Sequence, residues 1–280
     1  MNIGIVGLGL IGGSLAKAYK EENYTVYGYD KDTVTLEYAK LLKSVDDTLL
    51  EKTLTMCDVI LLALTPDAAI AWLQAQAKNI PATTLVMDCC GTKRKICAEG
   101  FALAKKYGFT FVGGHPMAGY QKGGFKHSDA ALFEDAPFAL VLENTKDIAL
   151  LEHIKNVLSP VGFSKFIVVT AEEHDKEIAF TSQMAHVVSN AFIKSPTAKS
   201  CGTSVSAGSY RDFTRVAYLD AKMWTELFLE NKDNLIFEID TLCKALSLYS
   251  EALKSGDGKA LQAILEEGKQ CKMEVENRCD

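Results

Sequence analysis

One histidine stands inside an unusual run of small residues, GGHPMAG, at positions 113–119. An imidazole titrates near neutral pH, so His115 can accept the proton of a hydroxyl group that is being oxidised. The run follows FTFVGG, which predicts a buried strand, and its glycines and proline predict a short loop that fixes the ring. By spacing alone an ordinary loop histidine is the better interpretation. Whether His115 is catalytic therefore depends on the elements that surround it.

Two arginines, Arg211 and Arg215, lie four residues apart in GSYRDFTR. A guanidinium group can hold a carboxylate with two parallel hydrogen bonds, so Arg215 is a candidate for binding an anionic substrate. A surface ion-pair cluster around Asp212 is the alternative interpretation. His186, in SQMAHVVSNAF, has apolar neighbours at helical spacing, and this pattern by itself indicates a core or interface histidine.

Other polar residues give weaker signals. No context suggests chemistry for His127, His153 and His174, and we expect them at the surface. No group of side chains has the spacing of metal ligands, so the sequence predicts no metal. The chain is long, shows no secretory signal and has no C-x-x-C pair, so its eight cysteines are expected to be free thiols in a reducing cytoplasm. They are Cys57, Cys89, Cys90, Cys97, Cys201, Cys243, Cys271 and Cys279.

The elements that position these side chains begin with NIGIVGLGLIGGSLA. Residues 2–6 predict a strand and residues 10–20 a helix, with a G-x-G-x-x-G pattern between them. Gly7 permits the turn, Gly9 lets a pyrophosphate approach the backbone, and Gly12 lets the helix pack on the strand. A packing turn without a nucleotide is the alternative. We predict that a dinucleotide binds at Gly7, Leu8, Gly9, Leu10, Ile11 and Gly12.

The next two strands indicate which dinucleotide binds. TVYGY ends at Asp30, where a carboxylate can accept hydrogen bonds from ribose hydroxyls and repel a 2′-phosphate, so we predict NAD rather than NADP. CDVILLAL leads to Thr65 and Pro66, which suit the N-cap and the first turn of a helix. Ligands of such sheets bind beyond the carboxyl ends of the strands, so Leu64 and Thr65 are expected near the nicotinamide.

Alternating strand and helix patterns continue to residue 169 and predict an α/β fold with a doubly wound, mostly parallel Rossmann-type sheet. Only helical patterns follow, and two of them are long and amphipathic. We therefore predict a dinucleotide-binding domain over 1–169 and a second, all-helical domain over 170–280. Long helices with apolar faces need partners, so a homodimer through the helical domain is expected.

The charge and hydropathy of the chain exclude some partners. The net charge is −6, which argues against nucleic acid because phosphate binding needs clustered Lys and Arg. The longest apolar run, VILLAL, is too short to cross a bilayer, so no membrane segment is expected. Small anionic substrates remain compatible, since a few local arginines can bind them.

Four segments together resemble the prephenate/arogenate dehydrogenase family of tyrosine biosynthesis. They are VGLGLIGGSLA, HPMAG, SQMAHVVSNAF, and GSYRDFTRVA with MWTELFLENKDN. The resemblance implies a monofunctional, NAD-dependent enzyme that converts prephenate to 4-hydroxyphenylpyruvate by oxidative decarboxylation. The alternative reaction in this family converts arogenate to tyrosine. The resemblance also implies that His115 contacts the ring hydroxyl, that His186 lies in the substrate site, and that Arg215, helped by Arg211 in some members, binds a substrate carboxylate.

One position departs from the family pattern. Many members carry Gly-Ser-Val-Lys after a strand, whereas this chain has Cys90-Gly91-Thr92-Lys93. A gapless alignment puts Gly91 where the family has a serine that bonds the pair of histidine and substrate hydroxyl. Thr92 is the expected substitute if the turn shifts by one residue.

Two other functions fit parts of the pattern. A β-hydroxyacid dehydrogenase also pairs a dinucleotide domain with a helical one, but it relies on a lysine motif that is not found here, and it leaves HPMAG unexplained. A nucleotide-sensing regulator without catalysis would need the glycine loop but not Arg215.

Overall fold

A computed structural model describes residues 1–120, 122–200 and 206–277. They divide into two compact units, one within Met1–Asn231 and one within Lys232–Asp280. Of the predicted free thiols, Cys201 and Cys279 lie outside the described residues, and the other six are free cysteines in the structure.

The strands of the first unit form one sheet. In chain order they are β1 (Asn2–Val6), β2 (Thr25–Tyr29), β3 (Asp47–Thr48), β4 (Val59–Leu62), β5 (Leu85–Asp88), β6 (Thr110–Pro116), β7 (Pro137–Val141) and β8 (Lys165–Val168). These described strands lie in the order β3-β2-β1-β4-β5-β6-β7-β8, and every neighbouring pair is parallel except the antiparallel pair β6 and β7. The predicted mostly parallel Rossmann-type sheet is confirmed.

The helices of the first unit alternate with the strands and then continue without them. They are α1 (Leu10–Glu21), α2 (Thr33–Leu41), α3 (Glu51–Leu54), α4 (Pro66–Gln76), α5 (Arg94–Tyr107), α6 (Ile148–Leu158), α7 (Ala171–Ile178), α8 (Met184–Phe192), α9 (Pro196–Ser200), α10 (Gly208–Thr214) and α11 (Ala221–Glu230). A π-helical turn, Ala179–Gln183, joins α7 to α8 without a break.

The two faces of the sheet are covered by different helices, because the parallel strands are apolar on both sides. On one face, Ile5 and its neighbours pack against Leu15 of α1 and Val157 of α6. On the other face, Ile60 and its neighbours pack against Leu73 of α4 and the residues of α5. This is the doubly wound arrangement, and it leaves the carboxyl ends of the parallel strands open for ligands.

The helices from α7 to α11 pack within the same compact unit as the sheet. Hydrogen bonds link them to it: the Asp175 carboxylate accepts from the backbone N–H of Lys93, 2.7 Å away, and the Asn231 side chain accepts from Arg94, 3.0 Å away. The predicted domain boundary between residues 169 and 170 stays a prediction.

The second unit consists of α12 (Lys232–Ser255) and α13 (Gly258–Glu276). Asp257 caps α13 by accepting from the backbone N–H groups of Lys259 and Ala260. Both helices expose large apolar side chains, among them Ile236, Phe237, Leu246, Leu253, Leu265 and Val275. Of the helices that the structure describes, none is long and apolar enough to cross a membrane.

Candidate active site

The glycine loop between β1 and α1 has the form that a pyrophosphate requires. Gly7 has a φ of +91°, which side chains rarely tolerate, and a Cβ at Gly12 would overlap the Gly7 carbonyl oxygen. A Cβ at Gly9, in contrast, would meet no atom within 4 Å. No described side chain caps α1, so its first N–H groups at Leu10 and Ile11 face this open space. The loop therefore fits the pyrophosphate of a dinucleotide.

Asp30 follows β2 and holds the glycine loop in place. Its Oδ2 accepts from the backbone N–H of Leu8 at 2.7 Å, and its Oδ1 accepts from that of Asp32 at 2.9 Å. The side chain of Leu8 is fully buried in the core, so Leu8 can face a ligand only through its backbone. The carboxylate keeps further lone pairs, so the predicted contact of Asp30 with a ribose stays a prediction.

Residues at the end of β4 lie at the same edge of the sheet. The register pairs Val6 with Leu62 and Leu62 with Asp88, so the glycine loop, Leu64 and Thr65 all follow the carboxyl ends of their strands. Thr65 occupies the N-cap position of α4, as predicted, but its side chain forms no capping hydrogen bond. The structure thus brings the predicted cofactor residues to one edge of the sheet.

His115 lies in strand β6 and not in the short loop that the glycines and the proline suggest. It pairs with Ala139 of β7, and β6 continues beyond the carboxyl end of β5. The glycines before it serve close packing instead: a Cβ at Gly113 would strike the Cys97 sulfur, and one at Gly114 would strike the Asp88 carbonyl oxygen. The prediction of a loop was wrong, because these glycines let β6 run past crowded neighbours.

A buried ion pair fixes the backbone just before His115. Asp88 ends β5 and forms an ion pair with Lys93, and both side chains are fully buried. Lys93 Nζ also donates to the Gly114 carbonyl oxygen at 2.6 Å, and the Gly114 N–H donates to Asp88 at 3.1 Å. Burial lowers the pKa of Lys93, but Asp88 outweighs it and keeps that pKa above its usual value, so Lys93 is a cation.

The imidazole of His115 contacts a second histidine. His115 Nδ1 lies 2.9 Å from His174 Nε2, and His174 Nδ1 lies 2.8 Å from Asp175 Oδ1. His174 is only 3% exposed, so the expectation that it lies at the surface was wrong. Its position on α7, four residues before the buried Ile178, turns it toward β6. His127 and His153 are exposed, as expected.

The electrostatics around His115 favour its neutral form. Burial of the ring lowers the pKa of His115 well below its usual 6.5, and the neighbouring His174 and the Lys93 cation lower it further. A neutral imidazole at neutral pH is the form that can accept a proton. Within the described residues, the hydrogen bond of the His115 ring is made at Nδ1, which leaves Nε2 as the nitrogen that can accept a proton.

The segment that departs from the family pattern lies beside the same strands. Thr92 is buried, and its hydroxyl donates to Glu230 Oε2 at 2.6 Å. Gly91 is partly buried, and a Cβ there would meet only the Leu227 methyl groups at 3.4 and 3.5 Å. The hydroxyl proton of Thr92 is therefore committed to Glu230, and the predicted catalytic role of Thr92 stays a prediction.

Three carboxylates near Thr92 form an acidic group. Asp67, Glu226 and Glu230 each place an oxygen within 4.8 Å of the others. Lys95 forms an ion pair with Asp67 and lies 3.3 Å from Glu230 Oε1. The Lys95 ammonium group thus offsets part of this negative charge, and the sequence prediction that no metal binds stays a prediction.

His186 and Arg215 form a second polar group. His186 Nδ1 donates to the Val216 carbonyl oxygen at 3.1 Å, and the ring packs against Trp224 at an interplanar angle of 54°, with a centroid distance of 3.9 Å. Burial lowers the pKa of His186, and the guanidinium of Arg215 lowers it further. A cavity of about 240 Å³ adjoins His186 and Trp224. Arg211, on α10, is exposed.

Fold and site together define a class of protein. A parallel sheet with a dinucleotide loop, a neutral histidine at the same edge, and a helical part that carries an arginine and further histidines are features of an NAD-dependent dehydrogenase. Sequence comparison gives the family. Residues 15–168 match the prephenate dehydrogenase nucleotide-binding domain, and residues 170–267 match the prephenate dehydrogenase dimerization domain. The chain belongs to the prephenate dehydrogenase family.

Individual relatives agree with this assignment. Prephenate dehydrogenase of Lactococcus lactis subsp. cremoris is 29% identical over 97% of this chain and 77% of its own length. Cyclohexadienyl dehydrogenase of Zymomonas mobilis is 27% identical over 100% of this chain and 97% of its own. Prephenate dehydrogenase of A. aeolicus, crystallised with hydroxyphenyl propionate and NAD+, superimposes with a TM-score of 0.83 at 28% identity, covering 98% of each chain. These findings confirm the predicted family and the predicted cofactor.

Proposed function

We propose that this protein catalyses the NAD-dependent oxidative decarboxylation of prephenate to 4-hydroxyphenylpyruvate. The observation that carries the proposal is the neutral imidazole of His115, held at the same edge of the sheet as the glycine loop. Three strand spacings separate β1 from β6, or about 14 Å, which suits a dinucleotide that extends from Gly9 toward His115. NAD, when bound, supplies the acceptor for the hydride.

The protein's side chains divide the remaining tasks. His115 Nε2 accepts the proton of the ring hydroxyl while hydride leaves the same carbon, so the C–O bond becomes a carbonyl. Loss of carbon dioxide from the opposite ring carbon then makes the ring aromatic, and the new phenolate oxygen takes the proton back from His115. Arg215 binds a substrate carboxylate, and His186 lies next to it. No proton is gained or lost in the overall reaction.

The test is a direct assay. Purified protein is mixed with NAD and prephenate, and the absorbance of the reduced cofactor is followed. We expect turnover that falls about 10²- to 10⁴-fold in His115→Asn while NAD affinity is unchanged. His153→Asn, at an exposed position of α6, is the matched control and should keep full activity.

A second arm of the assay replaces prephenate with arogenate. The relatives named for prephenate favour prephenate as the better substrate. A higher kcat/KM with arogenate would reverse the assignment between the two substrates. A wild-type protein that binds NAD but oxidises neither compound would contradict the proposed function.

The working form that we propose is a homodimer in the cytoplasm. The carboxyl-terminal match is to a dimerization domain, and α12 and α13 expose apolar side chains that a second copy would cover. A reducing compartment would keep buried thiols such as Cys90 and Cys97 in the free form that they have here.

A further inference from the structure

We propose that His174 and Asp175 fix the tautomer of His115, so that the lone pair lies on Nε2, the atom that faces the substrate. The inference rests on the proposed function for its catalytic consequence. It follows from the chain of contacts His115–His174–Asp175, in which each member limits the hydrogen-bonding role of the next. His174 and Asp175 are thereby positioning residues for the base.

Asp175 is the fixed end of this chain. Its Oδ1 accepts from the Lys93 N–H at 2.7 Å, and its Oδ2 accepts from the Arg94 N–H at 3.0 Å and from Arg94 Nε at 3.3 Å. Burial raises the pKa of Asp175, but the hydrogen bonds from His174, Arg94 and Lys93 outweigh it and hold that pKa below its usual value. Asp175 is therefore an ionised carboxylate, which can only accept.

The direction of each remaining hydrogen bond follows. His174 Nδ1 must donate to Asp175, so in the neutral ring its Nε2 carries the lone pair. That lone pair faces His115 Nδ1 at 2.9 Å, so the proton between the two rings belongs to His115. A neutral His115 with a proton on Nδ1 has its lone pair on Nε2, where a base is needed.

The same chain accommodates the charge that the reaction creates. When the substrate O–H bond breaks and an N–H bond forms at His115 Nε2, the imidazolium lies two hydrogen bonds from the Asp175 carboxylate. Other charged groups facing the pair are the Lys93 cation, paired with Asp88, and Arg94, paired with Asp175.

Two substitutions of His174 separate positioning from simple packing. In His174→Gln, the side-chain oxygen can still accept from His115 Nδ1, whereas His174→Leu offers a similar volume and no acceptor. We expect kcat for prephenate to fall about 10²-fold or more in His174→Leu and about tenfold or less in His174→Gln, with NAD affinity unchanged in both. Equal losses in the two variants would show a merely structural role and overturn the proposal.

Nitrogen NMR of the histidine-labelled protein with NAD measures the tautomer without turnover. Above pH 7 we expect His115 to be protonated on Nδ1 and bare on Nε2. In Asp175→Asn, the amide N–H can donate to His174 Nδ1, which should reverse both rings and place the proton on His115 Nε2; an Asp→Asn change of this kind in the Ser-His-Asp triad lowers kcat about 10⁴-fold.

The outcomes of the NMR experiment distinguish the two proposals. A wild-type His115 that is protonated on Nε2 would overturn the tautomer assignment, whatever the substrate. The expected tautomer in a protein that oxidises neither prephenate nor arogenate would support the assignment and refute the proposed function. Because the wild-type spectrum alone decides the tautomer, a variant that fails to fold does not prevent the test.

Discussion

Side chains around His115 determine at which pH the protein can work. Since burial, His174 and Lys93 lower its pKa well below 6.5, the ring stays neutral through the neutral range. We predict that kcat/KM for prephenate stays constant near neutrality and declines only well below pH 6.5, as its pH profile will show. An acidic limb centred at or above pH 6.5 would contradict this prediction.

The lowered pKa of His115 also affects folding. Below pH 6.5 the unfolded chain binds a proton at this ring that the folded protein does not. This group therefore contributes stability that is complete above pH 6.5 and declines as the pH falls.

Asp30 holds the glycine loop through Leu8 and is predicted to contact the ribose, and a substitution can separate these two roles. Because its carboxylate accepts from the buried Leu8 N–H, Asp30→Ala would leave that donor without its acceptor. Asp30→Asn keeps an acceptor oxygen for Leu8 but removes the charge and the second acceptor, so the exposed Asp32 N–H turns to water. We predict that Asp30→Asn narrows the ratio of kcat/KM for NAD over NADP by about tenfold, with the melting temperature nearly unchanged. An unchanged ratio would show that Asp30 does not face the ribose.

The sequence identified single residues where a motif surrounds them and missed residues that act through distant partners. His115 and Arg215 stand in distinctive runs, so the sequence singles them out as candidates. His174 lies in an acidic helix start, and its partner His115 is 59 residues away in the chain. Only its spacing from Ile178 and its neighbour Asp175 indicated an inward position.

The helix and strand elements around the cofactor allow a sharper test of the glycine loop. A Cβ at Gly12 strikes the Gly7 carbonyl oxygen, whereas a Cβ at Gly9 meets only open space. We predict that Gly12→Ala lowers the melting temperature by several degrees, because α1 must move from β1. Gly9→Ala should keep the melting temperature and weaken NAD binding about tenfold or more, measured by titration calorimetry. Equal stability of the two variants would contradict the packing role of Gly12.

Most helices and strands were predictable because each is long enough for the periodicity of its apolar residues to be recognised. The bounds of β1 and β2 agree with the pattern, and α1 agrees within a residue. The strand β3 has only two residues, too few for any period to appear. The π-helical turn Ala179–Gln183 differs from an α-helix by one residue per turn, and apolar spacing over five residues does not reveal that difference.

The whole molecule presents an apolar surface on its second unit that a monomer would leave in water. Phe237 is 64% exposed on α12, and several leucines on α12 and α13 are similarly exposed. We predict a dimer in light scattering of the wild type and a shift toward monomer in Phe237→Asp. Lys244→Glu, a change at an exposed polar position of the same helix, is the control and should stay dimeric. A monomeric wild type at micromolar concentration would contradict the dimer.

The π-helical turn between α7 and α8 sets the angle around the helix axis between the side chains of His174 and His186. Twelve residues separate His174 from His186, so an unbroken α-helix would point them about 120° apart. One additional residue in the π-helical turn reduces this angle to about 20°. Both side chains then lie on the same face of the continuous helix. Deleting a single residue there would let the turn close as an ordinary α-helix and keep the angle near 20°, because eleven steps of about 100° give the same rotation.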